Sequence, residues 1–450
     1  MTNDMTTGRP APLIFRFALP LLLGNLLQQA YNIVDAAIVG RYLGINALSA
    51  VGASSSVLFL IIGLCIGTCS GCSIPVAQKF GAREEREMRR TIANCLYFGI
   101  AFSLVVTLAT TLLCRHILSW MGTGEIIFED ACTYLWIIFL GIPCTMLYNM
   151  VAGILRALGD SKTPFLFLMV SAALNVGMDL LFIIAFQWGV AGAAIATILA
   201  QGISGALCLL YMRAHFGAVL PRGEEWHLDG RLLLDFLTQG VPMGLQCSVT
   251  AIGVILLQSG INSLGFNEPA AYAAAIKLKM FFICPFDALG IAMSAYCGQN
   301  LGAGKLDRVR KGLVISTCMG LIYAVFAFLV LYFGTPVLAL LFLDSSETTV
   351  IGLAHQYMTI GSACYFLLSF LNVARYSIQG LGHSPFALLS GVFELLARAV
   401  VSLIFIPMGG FTAACFADPV AWICADLFLL PAFLYVVRKE TKKSAAVQAE

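Results

Sequence analysis

Long apolar runs alternate along this chain with short polar stretches, each run close to the length needed to cross a bilayer. A helix needs about 20 predominantly apolar residues to span the hydrocarbon core. The pattern predicts twelve helices, roughly at 13–39, 50–75, 91–114, 130–155, 164–186, 189–213, 232–258, 270–296, 308–333, 351–378, 386–407 and 410–437. Barrel strands would alternate apolar and polar positions over about ten residues, and these runs are continuously apolar. The expected fold class is therefore an all-α polytopic membrane protein.

The pattern also repeats. "LGINALSAVGA" at 43–53 pairs with "LGFNEPAAYAA" at 264–274, and "AQKFGARE" at 77–84 with "GQNLGAGK" at 298–305. Gln78 and Gln299 stand 221 residues apart, as do Pro164 and Pro385, and Gly189 and Gly410. Each unit holds six spans, and an even number leaves the second unit oriented like the first, so the repeats are parallel. The expected domains are 1-213, a polar linker at 214-231, and 232-450 with a short tail.

Composition agrees: 60% of the 450 residues are hydrophobic and 11% charged, against about 25% charged in soluble domains. The net charge of +2 matters less than where the charges fall. Lys79, Arg83, Arg86, Arg89, Arg90, Arg156, Lys162, Arg213, Arg222, Arg231, Lys305, Arg308, Arg310, Lys311 and the tail lysines share one set of loops. The opposite loops offer Arg41 and Arg115, so both termini are expected in the cytoplasm. The polar opening "MTNDMTTGRPAP" has no apolar core before a small-residue cleavage site, and a removable signal peptide is not expected. Cys65, Cys69 and Cys72 recur at helical spacing in an apolar run, without a second CxxC or a histidine cluster, and read as small packing residues.

Against that background a few polar residues stand out. Asp35 sits inside the first span, where a carboxylate costs roughly 2.5–3.5 kcal/mol on insertion scales. Tyr31 lies one turn before it. The fifth span places Asn175 and Asp179 at i, i+4, on one helix face. Thr197 on the sixth span and Asn149 on the fourth add oxygens. Such groups bind a proton or a small hard cation such as Na⁺; the alternative is that each acid pins a neighbouring helix. At offset 221 Asp179 maps to Val400 and Asn175 to Leu396, so the acids occur in one repeat only. A packing device needed by the bundle would occur in both, which favours an ion site.

In the second half Glu394 and Arg398 are i, i+4 and are expected to neutralise each other. Lys277 and Lys279 are expected to snorkel on their long stems, while Asp287, Asp418 and Asp426 have no clear reading. Pro20, Pro75, Pro143, Pro242 and Pro285 fall in or beside spans and permit kinks. "RALGDSK" lacks the first glycine of GxGD, and no HExxH, GxSxG or P-loop occurs, so no enzyme chemistry is expected.

"LPLLLGNLLQQAYNIVDAAIVGRYLG", "PVAQKFGARE", "GILRALGDSKTPF", "GQNLGAGK" and "QGLGHSPF" together resemble the multidrug and toxic compound extrusion (MATE) family over nearly the whole chain. The resemblance implies a V-shaped bundle of two six-helix lobes, a central cavity, and export of organic, often cationic compounds against H⁺ or Na⁺ entry. It places the family's polar site on Asp35, Asn175, Asp179 and Thr197, with the Ala193 carbonyl as a further ligand and Gln28, Tyr31 and Asn149 nearby. Pro20 corresponds to the first-helix proline that bends as the site changes occupancy. The carboxylates that some members carry on the seventh and tenth helices are missing here.

The function expected is a secondary antiporter in the bacterial cell membrane, acting as a monomer on small organic substrates, with no cofactor and no nucleic-acid partner. The rival within the same superfamily, a flippase of lipid-linked precursors, would want several cations in its cavity to meet phosphates. A channel, the rival of another class, would not need a one-sided acidic site.

Overall fold

The computed structural model describes residues 4–449, without the side chains of 445–449. Every regular element among them is helical. Ten helices are long and apolar enough to cross a membrane, and two bent pairs bring the spans to twelve.

The chain forms two compact units. One gathers Asp4 with Leu23–Gly244, the other Met5–Leu22 with everything after Gly244. Both dividing points fall inside helices, α1 (Pro10–Leu43) and α8 (Gly230–Asn262).

The first unit contains α2 (Ile45–Gly81), α3 (Glu85–Trp120), α4 (Glu125–Leu140), α5 (Ile142–Ala157), α6 (Lys162–Leu180) and α7 (Gly189–His215). The first turns of α8 join it through glycines. A Cβ on Gly67 would lie 2.7 Å from the Cα of Gly244, and one on Gly71 2.5 Å from the Cα of Gly240. Residues four apart lie one above the other on a helix face, so the two pairs form a seam along which backbones touch. Membrane helices associate through such small residues, because lipid gives apolar surfaces no reason to leave it. The three cysteines Cys65, Cys69 and Cys72 are fully buried in this unit's core and are free thiols, as packing residues should be.

The second unit contains α9 (Asn267–Gly302), α10 (Leu306–Leu338), α11 (Thr348–Ala363), α12 (Tyr365–Gly380), α13 (Ser384–Val400), α14 (Ile406–Cys415) and α15 (Ala417–Ala449). Ala288 and Ala292 occupy the positions 221 residues after Gly67 and Gly71. They share a core with Ala18 and Leu21 from the first half of α1. Each unit thus completes its core with the opening turns of the other repeat's first span. Met5 is buried here, its N–H donating to Gln299 Oε1 at 2.9 Å.

Two predicted spans, 130–155 and 351–378, are not continuous. α4 and α5 meet at 45° around Gly141, and α11 and α12 at 52° around Cys364. Pro143 sits in the first turn of α5, where its missing N–H costs nothing. A Cβ on Gly141 would overlap Ile198 of α7 at 2.2 Å, so the bend is filled by a neighbouring side chain. Pro20, Pro75, Pro242 and Pro285 lie inside α1, α2, α8 and α9.

The repeat shows in backbone detail as well. A π-helical turn follows α6 at Leu181–Ala185 and another follows α13 at Val401–Phe405. Gly189 and Gly410 both adopt positive φ, +61° and +60°, which side chains rarely tolerate. Gly410 breaks α14 from within, so the junction expected between 407 and 410 falls on a real kink.

The linker is docked rather than loose. It carries a 3₁₀ turn at Gly223–Trp226, whose Glu225 takes Arg89 Nε on both carboxylate oxygens at 2.9 Å. Asn94 donates to His227 O at 3.1 Å and accepts from Asp229 N at 2.8 Å.

Candidate functional site

The polar residues of the first unit converge. Asp179, fully buried, is the penultimate residue of α6, just before the π turn, and Asn175, 3% exposed, lies one turn earlier. Asp35 approaches them from α1, its carboxyl group close to that of Asp179 though not hydrogen-bonded to it. Asn175 Nδ2 donates to Thr197 Oγ1 at 3.3 Å, and the Thr197 hydroxyl donates to the Ala193 carbonyl at 3.1 Å. That chain turns the Asn175 oxygen away from Thr197. On the Asp35 side, Tyr31 lies beside Gln28 and close to the carboxylate.

What the cluster lacks is donors. Asp179 Oδ1 and Oδ2, Asn175 Oδ1 and Asp35 Oδ1 are buried without a hydrogen-bond partner. A buried unsatisfied polar group costs about 1–3 kcal/mol, and more when charged. Two ionised carboxylates in contact add repulsion. The arrangement is relieved by a positive charge between them: a shared proton or a hard cation ringed by oxygens. No group of three or more His, Cys, Asp or Glu among the described residues could hold a metal ion, whereas Na⁺ can also use amide, hydroxyl and carbonyl oxygens. The donor set suits it.

Two assignments fare differently. Asn149 donates its amide to Thr145 O at 2.8 Å along its own helix, which holds it to α5. Pro20 is in the part of α1 that packs in the second unit, while Asp35 is in the part that packs in the first. Sequence reasoning passed over Tyr134, 5% exposed on α4 and close to Asp35, Asp179 and Tyr31. Its only trace in the sequence is a tyrosine in an apolar run. Around it Ile38, Ile138, Ile183, Val190 and Ala194 form a small apolar cluster that also takes in Ala193.

The π turn does not distinguish the site, because the second unit has one too. The acids do.

The second unit carries charge of another kind. Glu394 pairs with Arg398 at 3.1 Å, as expected, but also with Arg375. Arg398 Nε continues to Asp418 Oδ1 at 3.1 Å, and Asp418 pairs with Lys279. Lys279 therefore does not snorkel: its ammonium is held by a carboxylate 139 residues away in sequence. Asp287 accepts from Asn372 at 3.0 Å. Lys279 and Arg375 escaped the sequence reading as charge partners, because their acids lie on other helices.

A multi-span helical bundle with two unneutralised carboxylates set close together in one half has the architecture of a membrane transporter. The MatE family model matches residues 20–181 and again 242–404, one match per repeat. The chain belongs to the MATE family. It is 28% identical over 391 residues to the probable multidrug resistance protein YoeA of Bacillus subtilis, covering 84% of each chain. To YpnP of the same organism, also named a probable multidrug resistance protein, it is 32% identical over 308 residues and 68% of each. Among solved structures, a MATE crystal structure in complex with MaL6 superposes with a TM-score of 0.89 at 21% identity over 99% of both chains. A Pyrococcus furiosus transporter of the MOP superfamily gives 0.88 at 22% identity over 97% of both. At such identity these structures establish the fold, that of the two-lobe transporters.

Proposed function

We propose that the protein exports organic cations from the bacterial cell in exchange for H⁺ or Na⁺. The observation that carries this is the contrast between a carboxyl pair with orphaned oxygens in one unit and an ion network neutralised by its own side chains in the other. A site meant to take up a cation cannot be neutralised beforehand by the protein. The multidrug resistance named for its relatives in Bacillus subtilis supports the export of drug-like compounds.

Uptake of the ion by Asp35 and Asp179 removes their repulsion and draws α1 toward α6. Asn175 and Thr197 favour Na⁺ by supplying oxygens; a proton needs only a carboxylate. Pro20 lacks the N–H that would bond to Arg16 O, so α1 bends there at low cost. The bend links ion occupancy near Asp35 to the α1 turns that pack in the second unit, and substrate release follows by alternating access. The protein acts as a monomer with both termini in the cytoplasm. A lipid-linked precursor flippase would need unpaired cations, whereas Lys279, Arg375 and Arg398 are each committed to a carboxylate.

The test is dye efflux from proteoliposomes with Na⁺ and pH gradients imposed separately. Efflux follows one gradient in the wild type, and Asp35→Asn or Asp179→Asn abolishes the coupling while the protein stays folded in the membrane. An Asp179→Asn protein that still couples efflux to either gradient returns this residue to a purely structural role. Lysine-specific labelling of the loops at 78–90 and 302–311 from the outside would overturn the orientation.

A further inference from the structure

The Lys279 end of the second unit's ion network has a feature that neutralisation alone does not require. The Lys279 ammonium lies 5.8 Å from the ring centre of Tyr357 and 5.7 Å from that of Trp422. Tyr365 stands 6.0 Å from Trp422, and Tyr272 meets Tyr357 edge-on at 5.2 Å. Tyr357, Tyr365 and Trp422 are each at most 3% exposed. At the base is Asp418, which ion-pairs with Lys279, accepts the Tyr357 hydroxyl at 2.8 Å and receives Arg398 Nε at 3.1 Å. A small void of about 10 Å³, roughly room for one water, lies beside the ammonium among these rings.

Aromatic rings around a carboxylate form the chemistry that recognises alkylammonium ions. Ring faces attract the positive charge, by about 2 kcal/mol or more where water is excluded. Here the cation in the box is the protein's own, on a flexible four-carbon stem that can swing out. Lys277, two residues earlier, shows what a lysine does without such a box: it rests over Phe342 at 5.3 Å with no carboxylate paired to it among the described ion pairs.

We propose that this box is a binding site for small alkylammonium groups, and that Lys279 is a tethered competitor occupying it. Charge fixes the class of ligand. Exchanging one ammonium for another leaves Asp418 between two positive charges, the ligand and Arg398. A neutral ligand would strip Asp418 of one partner, and an anion would repel it. Size narrows the class further, since the void falls far below the roughly 300–1,000 Å³ of drug-sized sites and a ligand must fit mainly where the Lys279 head now lies. The best fit is a methylated ammonium with one remaining N–H, its methyl groups against the rings and its proton on Asp418. Lys279 lies in the first half of α9 and Asp418 in the first turn of α15. The lysine and arginine distribution puts those helix ends outside, where a displaceable lysine would help a departing cation go. This deepens the export of organic cations proposed above and rests on it for the physiological ligand.

Equilibrium binding tests it without any gradient, so failure here leaves the ion coupling at Asp35 and Asp179 standing, and the reverse. Trimethylammonium is titrated calorimetrically into the purified full-length protein in nanodiscs. Lys279→Ala should bind it saturably, at least about tenfold more tightly than the wild type, and Trp422→Leu in that background should abolish the binding. In the wild type, acylation of Lys279 followed by mass spectrometry should rise with trimethylammonium, as the displaced amine becomes accessible. A Lys279→Ala protein that melts like the wild type yet shows no saturable heat overturns the proposal. Where that variant does not fold, the wild-type labelling decides: unchanged or reduced acylation of Lys279 overturns it equally.

Discussion

Replacing Gly71 by alanine adds one methyl group to the face of α2 that receives α8. The new Cβ would stand 2.5 Å from Gly240 Cα, 2.7 Å from Gln239 O and 2.9 Å from Gln239 C, where ordinary contact begins at 3.4 Å. All three are backbone atoms, so no rotamer change relieves the clash, and the helices must part by roughly 1 Å. Overpacking of this kind costs about 1–3 kcal/mol. Gly52, on the same helix, has nothing within 4 Å of its would-be Cβ. There an alanine should stabilise by up to about 1 kcal/mol through helix propensity alone. Gly71→Ala gains the same propensity, so the two variants should differ by the overpacking cost, about 1–3 kcal/mol, with Gly71→Ala the less stable. At roughly 2–4 °C per kcal/mol for a body of 150–250 residues, the gap in melting temperature is on the order of 2–12 °C. Fluorescence-detected size exclusion after stepwise heating measures both. Should the two alanine proteins melt within about 2 °C of each other, the backbone seam between α2 and the first turns of α8 does not exist as described.

Three further expectations concern charge and oxygen. Asn175→Ala should impair Na⁺-driven efflux more than H⁺-driven efflux, since coordination needs several oxygens and protonation needs one carboxylate; equal loss in both would remove Asn175 as a ligand. Glu394→Gln leaves Arg375 and Arg398 without their shared carboxylate and should destabilise by about 3–5 kcal/mol, read as a fall in melting temperature; a neutral result would mean that water already serves those guanidiniums. The paired hydrogen bond from Arg89 holds the Glu225 carboxyl below its ordinary range. Its contribution is present above the unfolded value of about 4.3 and lost as the pH falls through the lower folded value, so proteolysis of the linker should rise on acidification through that window in the wild type and be insensitive to it in Glu225→Gln.

How much of this the sequence disclosed depended on how far apart the interacting residues lie. Span positions and the repeat follow from local patterns, and Gly189 and Gly410 carried the repeat down to backbone angle. The i, i+4 pairs, Asn175 with Asp179 and Glu394 with Arg398, were legible because helical periodicity alone sets them. The partnerships of Lys279 with Asp418 and of Arg375 with Glu394 were not, since no local rule links helices so far apart along the chain. The bends at Gly141 and Cys364 were hidden for another reason: hydropathy is blind to direction, and both halves of each bent pair are apolar. The glycine seam was visible as Gly67 and Gly71, but only the position of α8 gives it a partner.

The difference between the two units is an argument about electrostatics as much as about descent. Duplication supplied both halves with the same bends, π turns and glycine kinks, so those features cannot say which half binds an ion. Charge can, because a low-dielectric interior does not tolerate two unmatched carboxylates set close together without a reason. In the second unit each member of the ion chain from Lys279 to Arg375 has a counter-charge from the protein, and its folded state needs nothing from solution to neutralise that chain. In the first unit the stability lost to Asp35 and Asp179 is recoverable only from a mobile cation, so ion occupancy and conformation are tied through the same free energy. Moving the pair to the second unit would not preserve that link: Val400 and Leu396 stand where Asp179 and Asn175 would be, and both are exposed on α13, away from the buried face that carries Glu394 and Arg398.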